Sequence, residues 1–288
     1  MRVSVSRWGK SLVLTAVLGF LAAAVPAIAL ASPATIGASV PNRRPIMGAT
    51  PTPAPSGPTL EIIGTSVQGR PIEVYRFGSG PEARLVAADI HGGYEWNTQE
   101  LASALIQLLS DHPALVPANI TLYILPTINP DGLATSHGYP GRANARGVDL
   151  NRNFPFHWKS SWRTTGCWDY LPITAGTHAL SEPESQAVAR FVLSRHIRAM
   201  ISYHSAGLGI FAGGYPPSRN SMSLATRVAS VAPYPFPPRQ TGCEYTGEMV
   251  DWANANGIAA IDVELATHYD PDIDINRRVL YAFMTWQP

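Results

Sequence analysis

The stretch RLVAADI at residues 84–90 runs into HGGYEW at 91–96 and then into NTQELASALIQLLS at 97–110. The first piece is apolar except for Arg84 and Asp89 and reads as a buried strand, while the last spaces its apolar residues as an amphipathic helix does. Between them stand two adjacent glycines, Gly92 and Gly93, which permit a tight turn because neither carries a Cβ. Strand, glycine turn and helix make the opening of a βαβ unit. Polar residues at such a turn lie beyond the carboxyl end of the strand, where α/β sheets bind their ligands, and His91 and Glu95 occupy that place.

The same alternation continues along the chain. PIEVYRF at 71–77, ITLYIL at 120–125, RAMISY at 198–203 and IAAIDVEL at 258–265 read as strands, and residues 182–194, behind an N-cap at Ser181, and 273–286 read as helices. Asn129-Pro130-Asp131-Gly132 is a turn signal. This order predicts a single α/β domain over 59–288, with a central, mostly parallel mixed sheet flanked by helices.

Ahead of it, residues 32–58 are rich in Pro, Ala, Ser and Thr, carry only Arg43 and Arg44 as charges, and read as a flexible tether. Residues 1–31 read as a secretory signal peptide: Arg2, Arg7 and Lys10 precede an apolar run from Leu12 to Leu30, and Ala29-Leu30-Ala31 offers a cleavage site. An uncleaved membrane anchor is the other reading of the same run. Cleavage removes three basic and no acidic residues, leaving 18 basic against 20 acidic and turning a formal net charge of +1 into −2. With only 14% of residues charged, nothing recruits nucleic acid. A secreted or cell-envelope location, a monomer and no stable membrane insertion after cleavage are expected. In that setting the two cysteines, Cys167 and Cys243, are expected to form one disulfide rather than a catalytic thiol.

His91 and Glu95, joined by a third residue such as His204 at the end of the 198–203 strand, offer nitrogen and oxygen donors of the kind zinc takes. A catalytic zinc needs three protein ligands and one open position. Arginine and asparagine crowd the segment RANARGVDLNRNF at 142–154, a costly set to bury unless it binds an anion, and the guanidinium fork matches a carboxylate. The chain has no G-x-S-x-G elbow, which argues against a serine hydrolase.

Together these motifs become specific. His91 to Glu95, the NPDG turn, VDLNRNF at 148–154, Tyr203-His204-Ser205 and Asp262-Val263-Glu264-Leu265 resemble, in identity and order, the M14 zinc carboxypeptidases, most closely the compact bacterial branch that includes murein peptide amidases. The resemblance covers residues 59–288. It implies one Zn2+ held by His91, Glu95 and His204, with Glu264 activating the attacking water and Arg142 polarising the scissile carbonyl. It further implies that Asn151 and Arg152 grip the substrate's terminal carboxylate, that Asp149 orients the first zinc histidine, and that the Ser205–Ala206 peptide is cis. Two features depart from the family. Three residues rather than two separate His91 from Glu95, and Tyr245 lies in the region of the family's mobile tyrosine at a shifted spacing.

A zinc-dependent exopeptidase acting on a C-terminal peptide or amide bond is the function so implied. Its substrate is either an ordinary peptide or the amide between D-glutamate and diaminopimelate in peptidoglycan stem peptides. A non-catalytic cell-wall binding module is the competing class, and the presence of Glu264 with a complete ligand set weighs against it. Strand alternation points Asp262 to the same side as Glu264, where a carboxylate favours a cationic leaving residue; pairing with a neighbouring arginine is the alternative.

Overall fold

In the computed structural model, residues 57–167 and 173–288 are described; the leader and all but the last two residues of the tether fall outside them. The strands are β1 (Thr59–Thr65), β2 (Pro71–Gly78), β3 (Glu82–Ala87), β4 (Ile120–Leu125), β5 (Ala199–Ser205), β6 (Ile210–Ala212) and β7 (Ala259–Leu265). The helices are α1 (Trp96–Asp111), α2 (Pro130–Thr135), α3 (Pro183–Ser194), α4 (Arg219–Ala229), α5 (Met249–Ala255) and α6 (Ile273–Thr285).

The strands form one sheet in the order β1-β2-β4-β3-β5-β7-β6. Its centre, β4-β3-β5-β7, is parallel, while β2 and β6 run against their neighbours at the two sides. The mixed α/β sheet expected from sequence is therefore present.

Alternation along each strand divides the core in two. Val86, Ile201, Ile261 and Val263 face a cluster with Leu101, Leu105 and Leu109 of α1, Leu224 of α4 and Phe283 of α6. Leu85, Met200 and Ala260 face the opposite cluster with Val188 and Val192 of α3 and Met249 and Ala253 of α5. Because side chains repeat every second residue, Ser202 and His204 continue the Met200 face of β5, and Asp262 and Glu264 continue the Ala260 face of β7. The register pairs Ser202 with Asp262 and His204 with Glu264, which places these four side by side at the carboxyl ends of two parallel strands.

Connectivity opens a crevice there. From β3 the chain crosses by α1 to β4 on one side, then returns through α2 and α3 to β5 on the other. The carboxyl ends of β3 and β5 thus flank the point where the strand order reverses, the usual ligand site of an open α/β sheet.

Several local expectations need correction. The strand read to Ile90 ends at Ala87, because Asp89 takes a left-handed conformation (φ 57°) and turns the chain toward His91. Helix α3 is capped at Glu182 rather than Ser181, whose hydroxyl instead bonds Glu182 Oε1 at 2.7 Å. The NPDG turn winds on into α2, with Asn129 accepting a bond from the Gly132 amide at 2.9 Å as an N-cap. β1, β6, α4 and α5 were not anticipated. Cys167 and Cys243 are joined as expected, and Ser205–Ala206 is cis as the resemblance implied.

Candidate metal and substrate site

The turn after β3 sets the first half of the site. Gly92 has φ 49°, and a Cβ there would lie 2.5 Å from the Gly141 carbonyl oxygen; a Cβ on Gly93 would meet the Ser136 carbonyl oxygen at 1.8 Å. Only glycine allows this approach. The chain then makes a 3-10 turn over Gly92–Glu95, which absorbs the extra residue in the His91–Glu95 spacing and brings His91 Nδ1 to 2.7 Å from Glu95 Oε1.

From β5, His204 turns its Nδ1 to 3.1 Å from Glu95 Oε2 and 3.3 Å from His91 Nδ1. One donor atom from each of His91, Glu95 and His204 lies within 4.8 Å of the other two, and all three residues are buried. Each imidazole is held from behind. His91 Nε2 lies 3.2 Å from Asp149 Oδ1, and His204 Nε2 lies 3.2 Å from Asp262 Oδ1 and 3.0 Å from the Ser202 hydroxyl. A carboxylate on the far nitrogen fixes the tautomer and makes the near nitrogen a better metal donor. Two Nδ1 donors and one carboxylate, all converging and buried, fit zinc with a position left for substrate.

Electrostatics support the same reading. Burial pushes the Glu95 carboxyl up, but His91 and His204 outweigh it and hold Glu95 below the usual range. Burial likewise opposes ionisation of Asp149, yet Arg142 and His91 keep it well below its ordinary value. For His204 burial acts downward, while Asp262 and Glu95 raise the imidazole well above its ordinary value. A cation entering the cluster displaces the proton that the neighbouring carboxylates favour on His204, so metal binding here releases a proton.

The other residues named from sequence converge on one cavity of about 260 Å³ lined by His91, Glu95, Arg142, Asn151, Arg152, His204, Tyr245, Asp262 and Glu264. Arg142 bonds Asp149 Oδ2 through Nε at 3.0 Å, and its Nη1 lies 3.8 Å from Glu95 Oε1. Asp149 caps the turn that follows by accepting the Asn151 amide at 3.0 Å, and Asn151 Oδ1 accepts the Met249 amide at 2.9 Å. The VDLNRNF segment is thereby clamped between the first imidazole and the start of α5. Arg152 is buried against Glu248, with Nη1 3.2 Å from Oε1, and sits 5.3 Å from the centre of the Tyr245 ring. The Tyr245 hydroxyl reaches Thr241 Oγ1 at 2.8 Å. Asp262 lines the cavity and pairs with His204 rather than with an arginine. Glu264 Oε2 is buried and has no hydrogen-bond partner, and burial together with Glu95 raises this carboxyl to about 8.

Sequence reasoning assigns no site role to Glu248, Asp251, Ser205 or His268, all of which line the cavity. Ser205 Oγ bonds Asn97 Oδ1 at 3.0 Å and His268 Nδ1 at 3.1 Å, tying the end of β5 to the segment after β7. Position alone could have flagged Glu248 and Asp251, since they flank the start of the helix that follows the Tyr245 segment.

A pH effect follows. Glu264 and Glu248 are both raised to about 8, and His204 is raised too. An unfolded glutamate titrates near ~4.3, so between that value and 8 the folded state binds more protons than the unfolded one and stability falls as pH rises. Glu95 and Asp149, shifted the other way, act only at lower pH. Thermal melts of chelator-treated protein should therefore show Tm declining from about pH 5 to 8, and zinc should flatten the slope. A Tm that rises over that range would contradict these shifts.

The zinc carboxypeptidase family profile (Peptidase_M14) matches residues 47–283, and the chain belongs to that family. Carboxypeptidase B of Astacus astacus is 27% identical over 174 residues, covering 54% of this chain and 56% of that protein. Murein peptide amidase A of Escherichia coli K12 is 29% identical over 154 residues, covering 51% and 59%. The chain thus matches little more than half the length of these relatives. The crystal structure of murein-tripeptide amidase from Escherichia coli O157 superimposes with a TM-score of 0.57 at 24% identity, covering 85% of this chain and 98% of that one, a likeness of fold.

Proposed function

We propose that this chain is a zinc-dependent exopeptidase that hydrolyses a C-terminal peptide or amide bond outside the cytoplasm. The observation that carries the reading is Glu264. Its buried, unpartnered Oε2, on a carboxyl raised to about 8, stands at the end of β7 beside the His91–Glu95–His204 cluster. A carboxylate tuned toward neutral pH and directed into a cavity beside a metal-binding cluster is suited to general acid–base work.

His91, Glu95 and His204 would hold a zinc ion, which when bound would supply Lewis acidity and lower the pKa of water to about 7. Glu264 takes the proton from the attacking water on a carboxylate oxygen and later gives it to the nitrogen of the leaving amine. Arg142 stabilises the charge that develops on the carbonyl oxygen, a donor role worth about 3 kcal/mol. Arg152 and Asn151 hold the terminal carboxylate, and Tyr245 packs over Arg152 at the cavity wall. Asp149 and Asp262 fix the two imidazoles.

The amide between D-glutamate and diaminopimelate in peptidoglycan stem peptides is the second substrate reading. It is favoured by the acidic wall of Glu248, Asp251 and Asp262, which suits a leaving residue with a distal ammonium, and by the likeness to murein peptide amidase A. The test is to incubate zinc-loaded protein, with and without chelator, with stem tripeptide and with simple peptides ending in lysine or leucine, and to identify products by mass. Release of one C-terminal residue, abolished by chelator, is expected. No product from any of them would leave only a binding role.

A further inference from the structure

We infer that Trp162 is a positioning residue for Arg152: its indole, with the Tyr245 ring, holds the guanidinium in place, so a ring outside the cavity sets how tightly the substrate's terminal carboxylate is bound. The inference rests on the exopeptidase reading for the role of Arg152.

Two rings pack on this one guanidinium. Arg152 Cζ lies 6.0 Å from the centre of the Trp162 ring and 5.3 Å from that of Tyr245. Arg152 and Tyr245 line the cavity and Trp162 does not, so the indole supports the guanidinium without meeting the substrate. The hydrogen bonds of Nη1, to the Asn151 carbonyl at 2.6 Å and to Glu248 Oε1 at 3.2 Å, act at the edge of the fork. An aromatic face adds a restraint of another kind, because it attracts the cation as a whole and resists its swinging away. That restraint matters here, since a fork that shifts cannot meet a carboxylate with two parallel bonds.

Core packing does not account for Trp162. It belongs to neither core cluster, and its Nε1 is buried with no hydrogen-bond partner. A buried donor left unmet costs stability, so the place of this ring is set by its face and not by its N–H.

The segment that carries Tyr245 also brings Trp162 to Arg152. Trp162 precedes Arg163, whose amide donates to Glu244 Oε2 at 2.9 Å, and Tyr245 follows Glu244. Lys159 pairs with the same glutamate, the Arg163 guanidinium donates to the Gly242 carbonyl, and Cys167 is bonded to Cys243. Past Tyr245, the Gly247 carbonyl accepts the Phe154 amide at 2.9 Å, two residues beyond Arg152. One stitched unit thus delivers both rings to the arginine.

The experiment uses the zinc-loaded protein with Trp162→Leu, which keeps apolar bulk and loses the aromatic face, and Trp162→Phe, which keeps a face and loses the N–H. Trp162→Leu should raise KM about tenfold for lysine-terminated and leucine-terminated peptides alike, with kcat within about twofold of wild type. Trp162→Phe should keep KM within about threefold of wild type. Calorimetry supplies a readout free of turnover. A benzyl-substituted succinate, with carboxylates for both the metal and Arg152, should bind Trp162→Leu about tenfold more weakly, while acetohydroxamate, which engages the metal alone, should bind unchanged. Unchanged KM and succinate binding in Trp162→Leu would overturn the inference, as would equal losses in Trp162→Phe or a matching loss of hydroxamate binding. Arg152→Gln separates the inference from the reading beneath it. If Arg152→Gln weakens succinate binding and Trp162→Leu does not, the inference fails alone; if Arg152→Gln has no effect, the role of Arg152 fails and the inference with it. If Trp162→Leu discriminates between the two ligands while no peptide is cleaved, the exopeptidase reading fails and the positioning by Trp162 stands.

Discussion

Glu264→Gln should lower kcat by about 10²–10⁴-fold, the range typical of removing a general acid–base group, while leaving zinc stoichiometry unchanged and the melting temperature no lower than that of wild type. Glutamine fills the same volume at the end of β7 and cannot take a proton. The buried Oε2 has no hydrogen-bond partner whose loss would unsettle the fold, so the effect should be confined to turnover. KM should change little, since Arg152 and Asn151 hold the substrate. A variant that keeps more than a tenth of wild-type kcat would assign the proton transfer to another group, and the general-base role of Glu264 would have to be given up.

His204→Ala should abolish stoichiometric zinc after dialysis. It removes a donor whose Nδ1 lies 3.1 Å from Glu95 Oε2, leaving two ligands where a stable catalytic site needs three. Asp149→Asn makes the informative comparison. It keeps all three donors and weakens only the support behind His91, so it should reduce zinc affinity about 10–100-fold and remain reloadable at high zinc. Competition with a chromophoric chelator measures both. Full zinc occupancy in His204→Ala would place the metal elsewhere.

Much of this was legible in the sequence because it rests on local rules. A glycine pair after an apolar strand forces a turn, and the turn delivers His91 and Glu95 whatever the distant chain does. Alternation on a regular strand places Asp262 and Glu264 on one face, and the register with β5 sets them beside Ser202 and His204. What the sequence did not yield depends on tertiary context. β1 and β6 lie at the sheet's edges, β6 is only three residues long, and neither carries a buried apolar run to announce it. The sequence admits Asp262 as pocket base or as arginine partner, whereas its contact with His204 depends on how closely two adjacent strands approach. Glu248 does not stand out in the sequence, because a lone glutamate before a helix is ordinary; burial against Arg152 is what makes it unusual.

The bond between Cys167 and Cys243 spans 76 residues of sequence and encloses α3, β5, β6 and α4. His204 lies inside that ring, while His91, Glu95 and Glu264 lie outside it. Closing a ring of this size removes about 4–5 kcal/mol of chain entropy from the unfolded state. Glu244, next to the bonded cysteine, pairs with Lys159 and accepts the Arg163 amide at 2.9 Å, so the two bridged segments are also stitched together without covalent help. Tyr245, two residues past Cys243, is therefore tethered close to the bridge. The rim of the cavity is part of the molecule's covalent topology, and a reducing compartment would untie the rim and the ring in the same event.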